Sequence, residues 1–273
     1  MHAYSGGNEA VLKAAIIGAT AYTSLELIDI LLAHPEATIA HLGGRREGNP
    51  RISSIFPSLR GRCDMEMGGL EPEDLPEEPD VVFFTLPHGV SQDYVPRFLD
   101  EGLPAIDFSA DYRLRDMTVY REWYGEHGDP DNVKRAAYGI PELFRKRIKD
   151  AELVANPGCY PTSVLLGLAP LVGAGMVEPG GIIVDSKSGV SGRGNKPDPG
   201  SMYCECNENL SAYKVGGHRH QPEMAQGLSL LGLGSPEVFF TPHLAPMDRG
   251  IQSSIYVELA EDYDAEELEK TMR

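Results

Sequence analysis

Apolar positions follow two rhythms along this chain, and its elements are marked where one rhythm gives way to the other. Leu12 to Ala19 is a short, nearly continuous apolar run, as in a strand buried on both faces, whereas Leu25, Ile28, Leu31 and Leu32 recur at helical spacing within Ser24 to Leu32. The alternation then repeats. Strand-like runs at Ala37 to Leu42, Val81 to Leu86, Ala105 to Phe108 and Glu152 to Ala155 are interleaved with helical patterns such as that through Tyr94, Phe98 and Leu99. Strands alternating with helices predict a parallel, doubly wound sheet whose ligand-facing edge lies at the strand C-termini. Arg51 to Asp80, rich in Pro, Gly and acids, reads as an excursion over the surface. Beyond a helical run from Ser163 to Val172, strands are expected from Gly181 to Asp185, Val238 to Pro242 and Ile251 to Leu259, the last two antiparallel and joined through His243 to Arg249. Such strands in series point to a second, α+β domain. A helix from Ala265 to Met272 ends the chain.

Size and charge narrow the function. At 273 residues with 41% hydrophobic content the chain can bury two moderate cores. No run reaches the apolar length of a membrane span, and Met1 to Glu9 lacks a basic start leading into a hydrophobic signal core, so a soluble cytoplasmic protein is expected. A net charge of −17 disfavours nucleic acid and anionic membranes as partners. Four cysteines (Cys63, Cys159, Cys204, Cys206) are too few and too irregular for a disulfide framework, and reduced thiols are expected.

Candidate chemistry gathers at the expected strand ends. Gly18-Ala19-Thr20-Ala21-Tyr22-Thr23-Ser24 carries the first strand into a helix N-terminus, where backbone amides can hold a pyrophosphate, although only Gly18 of the expected glycines is present. The second strand ends in Gly43-Gly44-Arg45-Arg46, and arginine there suits a ribose 2′-phosphate, hence NADP. His88 follows the third strand, as a loop histidine against cofactor or solvent, and Arg113 follows the fourth, where a guanidinium can grip phosphate or carboxylate. Asn156-Pro157-Gly158-Cys159 is a strand, a tight turn and a helix opening on a cysteine. The dipole and free amides of a helix start favour thiolate there, against the plain alternative of a small buried residue. His88, Arg113 and Cys159 are expected to share one crevice.

Two later stretches extend the set. Ser186 to Gly194, with Ser188, Gly189 and Gly192, is a glycine- and serine-rich loop able to wrap an anionic or nicotinamide ligand, or to act as a flexible connector. Gly217-His218-Arg219-His220-Gln221-Pro222-Glu223 sets a carboxylate three residues after His220, within reach of its ring if the turn is helical, as acid–base chemistry requires. No third ligand cluster accompanies the histidines, so no metal site is expected.

Taken together, seven ordered motifs resemble the N-acetyl-γ-glutamyl-phosphate reductases of arginine biosynthesis, within the aspartate-semialdehyde dehydrogenase superfamily. They are Gly18 to Thr23, Leu86 to Gly89, Asp107 to Arg113, Asn156 to Thr162, Lys187 to Gly192, Gly217 to Glu223 and Pro242 to Gly250, spread over nearly the whole chain. The resemblance implies an NADP-binding Rossmann-like domain (residues 1–155) and an α+β catalytic and dimerisation domain (residues 156–273), assembled as a homodimer or homotetramer. It implies Cys159 as nucleophile, His220 with Glu223 as the acid–base pair with His218 as rival, and Arg113 on the substrate phosphate. Ser109 and Asn156, at the same strand ends, complete the expected substrate contacts. Gly18, Thr20, Ala21, Tyr22, Thr23, Arg45, Arg46, His88, Ser188, Gly189 and Gly192 are the expected NADP contacts. Members of that family also carry a C-terminal segment that returns to the first domain and completes the cofactor site; the sequence ends at Arg273 before it, so the second domain is expected to be truncated. The substrate's amino-protecting group stays open, as do aspartyl phosphate as substrate and a non-catalytic NADP-binding or oligomerisation role.

Overall fold

The computed structural model describes residues 11–45 and 48–273. In chain order the elements are β1 (Leu12–Ile17), α1 (Tyr22–Ala33), β2 (Ala37–Gly43), α2 (Ile52–Ile55), β3 (Val81–Phe84), α3 (Ser91–Asp100), β4 (Ala105–Asp107), α4 (Met117–Tyr124), α5 (Pro130–Arg135), β5 (Ala137–Tyr138), α6 (Pro141–Lys149) and β6 (Leu153–Ala155). They continue with α7 (Cys159–Gly173), β7 (Ile182–Ser188), α8 (Tyr203–Cys206), β8 (Ser211–Ala212), α9 (His220–Leu230), β9 (Val238–Leu244), β10 (Ile251–Tyr256) and α10 (Ala265–Met272). Two compact units divide the chain. One holds the described residues through Tyr112 with His127–Ala137 and Asp150–Asn156; the other holds Arg113–Glu126, Tyr138–Lys149 and Pro157–Arg273.

The first unit is built on a sheet of order β2-β1-β3-β4-β6-β5, with β1 parallel to β2 and β3, and β4 parallel to β3 and β6. Helices cover both faces of such a sheet, which is why β1 reads as a continuous apolar run: Ala14, Ala15, Ile16 and Ile17 are all buried. The chain winds outward to β2, then returns to β3 on the other side of β1. That reversal is the switch point where doubly wound sheets take their ligands.

The segment from Arg51 to Asp80 departs from its expected surface course. Ile52, Leu59 and Met67 are fully buried and join Phe56 and Cys63 against Leu27, Ile28 and Leu31 of α1. Most of its acidic residues, such as Asp64, Glu66, Glu77 and Asp80, are exposed, so the average composition hides a few well-placed apolar side chains that follow no single period.

The second unit is built on a mixed sheet of order β10-β7-β9-β8, in which β7 is parallel to β9 and antiparallel to β10. Two expectations change here. The glycine-rich loop begins later than expected, because Ser186, Lys187 and Ser188 still pair with Pro242, His243 and Leu244 as part of β7. And β9 and β10 run in opposite directions without pairing, since β7 lies between them. The residues joining them cross the end of β7, where Gly189, Val190 and Ser191 donate backbone hydrogen bonds to Gly250, Met247 and Asp248 at 2.9, 2.9 and 3.1 Å. Six residues are enough to bridge two strand spacings of about 4.8 Å each.

Ile182, Val184, Val238 and Phe240 turn one face of this sheet onto α7 and α9, whose Val164, Leu165, Leu168, Met224 and Leu228 complete the core. Close approach of the two helices depends on Gly227, where a Cβ would lie 2.4 Å from Leu165 Cδ1. That packing sets the first turn of α9 beside the start of α7.

Candidate active site

Gly158 is the extended residue before α7 (φ −65°, ψ 151°), and it offers no capping side chain, so the amides of the first helical turn are left to face the Cys159 thiol. Cys159 is exposed at the surface. Its thiol is nevertheless pushed above the ordinary value, chiefly because surrounding protein atoms remove water and to a lesser degree because Glu223 is negative; the Tyr160 amide and the Arg113 charge pull it back. The helix start therefore acidifies the thiol, but desolvation outweighs it. A base is needed to draw the proton.

An imidazole is in place. A Cβ on Gly158 would stand 2.6 Å from His220 Nε2 and 3.0 Å from Glu223 Oε2, so only glycine lets the first turn of α9 lie against the backbone carrying the cysteine. Glu223 is 1% exposed and gathers several donors. Its Oε1 accepts from Tyr138 Oη at 2.8 Å and from the Gly158 N–H at 2.8 Å, while Oε2 faces Arg113 Nη1 at 3.5 Å. One carboxylate thus ties the turn before Cys159, the tyrosine of β5 and the candidate anion-binding arginine to the helix that bears His220. Burial, together with the nearby Glu223 charge, pushes the Tyr138 phenol well above its usual range, so it acts as a donor only.

His218 sits differently. Its Nδ1 accepts the His220 N–H at 3.1 Å, and its ring packs against Tyr160, Tyr213 and Phe240 with centroids 5.6, 5.7 and 5.3 Å away. Burial, aided by the charges of Lys214 and Arg219, holds it down at about 4, so it is neutral near pH 7 and orients the start of α9 through an accepted hydrogen bond.

The expected cofactor residues of the first unit meet at the switch point. Gly18 has φ +100°, and a Cβ there would lie 2.9 Å from the Thr85 carbonyl carbon. Ser24 stands at a position where a further glycine was expected; it is buried and donates to Gly18 O at 2.9 Å and Thr85 Oγ1 at 2.8 Å. It therefore braces the turn from within rather than occupying the space above it. Thr20 lies in that turn, Ala21 is the N-cap of α1 and brings no capping side chain, and Tyr22 and Thr23 open the helix. An uncapped helix start behind a tight glycine turn suits a pyrophosphate. Arg45 is exposed, donates to Tyr94 Oη and stacks 5.5 Å from the Tyr94 ring centroid, with Arg97 at 5.4 Å from the same ring. Arg46 lies outside the described residues.

His88 accepts the Ala110 N–H at Nδ1 (2.8 Å), and Asn156 donates its N–H to Asp107 O at 2.8 Å. Ser109 donates its hydroxyl to buried Asp107 at 2.5 Å and accepts the Asp111 N–H at 3.0 Å; burial pushes the Asp107 carboxyl up to about 6. In the second unit the Ser188 hydroxyl donates to Gly189 O at 3.1 Å. A Cβ on Gly189 would meet Arg249 N at 2.7 Å, and one on Gly192 would meet Ser188 Oγ at 3.1 Å. Both glycines thus serve close chain packing. Among the described residues no group of three His, Cys, Asp or Glu side chains is arranged to hold a metal ion, and no helix is long and apolar enough to cross a membrane.

Within the second unit, then, Cys159, Arg113, His218, His220 and Glu223 come together. Two members of this cluster went unread in the sequence. Tyr138 lies in a two-residue strand with no motif around it. Gln226 donates to Arg113 O at 2.8 Å and accepts the Arg115 N–H at 2.7 Å, and it continues the three-residue stride of His220 and Glu223. That stride was the available signal.

Residues 13–151 match the family model of the semialdehyde dehydrogenase NAD binding domain, and residues 159–273 match that of the semialdehyde dehydrogenase dimerisation domain. N-acetyl-gamma-glutamyl-phosphate reductase of Geobacter sp. (strain M21) is 50% identical over 260 residues, which is 94% of this chain and 75% of that protein. The chain belongs to the N-acetyl-γ-glutamyl-phosphate reductase family. The enzymes of that name from Pelobacter propionicus and Rhodopirellula baltica are 47% and 48% identical over 96% and 90% of this chain, and over 76% and 72% of their own lengths. Among solved structures, aspartate semialdehyde dehydrogenase with NADP from Candida albicans aligns with a TM-score of 0.72 at 17% identity, covering 96% of this chain and 76% of that one. Aspartate semialdehyde dehydrogenase II from Vibrio cholerae aligns at 0.66 and 16% identity, over 95% of this chain and 78% of its own. At these identities the likeness is one of fold, and the α/β semialdehyde dehydrogenase fold is the fold of this chain.

Proposed function

We propose that this chain catalyses the NADPH-dependent reductive dephosphorylation of N-acetyl-γ-glutamyl phosphate to N-acetylglutamate 5-semialdehyde through a thioester on Cys159. The observation that carries the chemistry is His220 Nε2 pressed against Gly158, with Glu223 bound to that glycine's N–H. The substrate is assigned from relatives about 50% identical over most of the chain that bear that enzyme's name.

His220 draws the proton from the Cys159 thiol, offsetting the desolvation that holds it, and the Sγ attacks the acyl carbon. The C–O bond to phosphate breaks, inorganic phosphate leaves, and a thioester remains on Cys159. Arg113 grips the departing phosphate as a fixed cation. Amides of the first turn of α7 stabilise the oxyanion that forms at the carbonyl. Gly18, the start of α1 and Arg45 would hold NADPH, which when bound would supply the hydride that brings the thioester to the oxidation level of the aldehyde. The histidinium of His220 returns its proton to the developing oxygen, and collapse of the thiohemiacetal releases aldehyde and thiol. Glu223 fixes Arg113, the turn and the helix bearing the imidazole throughout.

The protein is proposed to work in the cytoplasm as a homodimer or homotetramer. Support comes from the dimerisation-domain match and from the sheet face opposite the core, where Ile183, Phe239 and Tyr256 stand 48, 53 and 61% exposed. Replacing Cys159 by serine tests the reaction: NADP- and phosphate-dependent oxidation of N-acetylglutamate semialdehyde should disappear. Retained turnover would sink the thioester route.

A further inference from the structure

Helix α9 meets the Arg113 segment with two side chains, one turn apart. Glu223 faces the guanidinium, at 3.5 Å from Nη1. Gln226 faces the backbone: its Nε2 donates to Arg113 O at 2.8 Å and its Oε1 accepts the Arg115 N–H at 2.7 Å. Arg113 to Arg115 belongs to no helix or strand, so its backbone has no ladder to hold it. A single amide takes the two polar groups that flank buried Leu114, as a neighbouring strand would. The side chain of Arg113 is 6% exposed, which leaves its guanidinium little freedom once its backbone is fixed.

We infer that Gln226 is a positioning residue for the anion site: it sets Arg113 at the place where the phosphoryl group of the substrate, or inorganic phosphate in the reverse direction, is bound. The inference rests on the proposed function, because it takes Arg113 as the phosphate ligand. His220, Glu223 and Gln226 follow at a stride of three residues, so a single helix aligns acid–base group, carboxylate anchor and arginine clamp. A shift of the arginine changes phosphate binding first, because neither the thiol nor the imidazole is held by Gln226.

The test uses the whole chain in the reverse reaction, with N-acetylglutamate semialdehyde, NADP and inorganic phosphate. Gln226→Leu removes both hydrogen bonds, and Gln226→Glu keeps the shape while replacing the donor that faces Arg113 O. Both should raise KM for phosphate about tenfold, the factor expected for loss of one good hydrogen bond. KM for NADP, kcat and the iodoacetamide reaction rate of Cys159 should stay within about threefold, and the thermal midpoint identifies any variant that fails to fold. Phosphate KM within twofold of the parent in the folded variants overturns the inference, as does a loss shared equally by kcat and both KM values. A parent chain without phosphate-dependent turnover, or an Arg113→Ala variant with unchanged phosphate KM, overturns the proposed function and this inference with it.

Discussion

Replacing Glu223 by glutamine separates two things the carboxylate does. It accepts two hydrogen bonds of 2.8 Å from Tyr138 and Gly158, and it places a negative charge 3.5 Å from Arg113 in a site where it is 1% exposed. Glutamine keeps the shape and one acceptor oxygen. Each of the two short bonds drops from a charged to a neutral one, at a cost of about 1 kcal/mol apiece. Loss of the attraction to Arg113 adds to this, moderated by the long separation, and brings the total to about 3 kcal/mol, near the range for breaking buried pairs. For a chain of this size that lowers the melting midpoint by roughly 6–12 °C. The thiol should respond in the opposite sense. Glu223 pushes Cys159 up, so its removal leaves the Arg113 charge and the Tyr160 amide less opposed and acidifies the thiol. Melting followed by circular dichroism, with iodoacetamide alkylation rates across pH, reads both. The expected result is a less stable protein whose alkylation midpoint moves to lower pH. An unchanged midpoint of melting, or an alkylation midpoint that moves up, would refute the assignment of Glu223 as the charged anchor of the site.

Three further outcomes are expected. Gly158→Ala keeps an allowed backbone (φ −65°) but sets a methyl 2.6 Å from His220 Nε2, so kcat should fall on the order of a hundredfold in a folded protein; near-parental kcat would show that the imidazole is not needed there. Gly18→Ala must adopt φ +100° and press on Thr85, so KM for NADPH should rise about tenfold in titrations followed by cofactor fluorescence, and unchanged binding would move the cofactor elsewhere. His218, held at about 4 against an ordinary 6.5, lets the unfolded chain bind a proton that the folded one refuses. Its contribution is therefore present above pH 6.5 and is lost as pH falls toward 4. Asp107, raised to about 6, slopes the other way, so the clean readout is the difference in urea midpoints between His218→Gln and parent from pH 7 to 4; that difference should shrink as acid is added, and a constant one would contradict the burial of a neutral ring.

The first sheet was legible because burial on both faces leaves unbroken apolar runs, as in β1 and β3, and because glycine at a strand end needs a reason that Gly18 supplies. The second sheet was less so. Strand order depends on which edges meet in three dimensions, and nothing in Val238 to Leu244 or Ile251 to Tyr256 announces that β7 comes between them. At the site, the cysteine, histidines and arginine that lie together could be picked out by type and position. Tyr138 and Gln226 did not, because each acts through one long-range hydrogen-bond set, with Glu223 or with the backbone around Leu114, that no local spacing encodes. The direction of the thiol's shift was hidden for a related reason: the helix start is written in the sequence, whereas the desolvation that outweighs it arises only in the folded chain.

The central claim is a covalent one, and mass spectrometry of the intact chain tests it most directly. Mixed with N-acetyl-γ-glutamyl phosphate in the absence of NADPH and quenched in acid, the protein should gain the mass of one N-acetylglutamyl group on the peptide that carries Cys159, and NADPH should discharge it. Turnover of the acyl phosphate without such an adduct, or an adduct that persists in Cys159→Ser, would contradict the thioester.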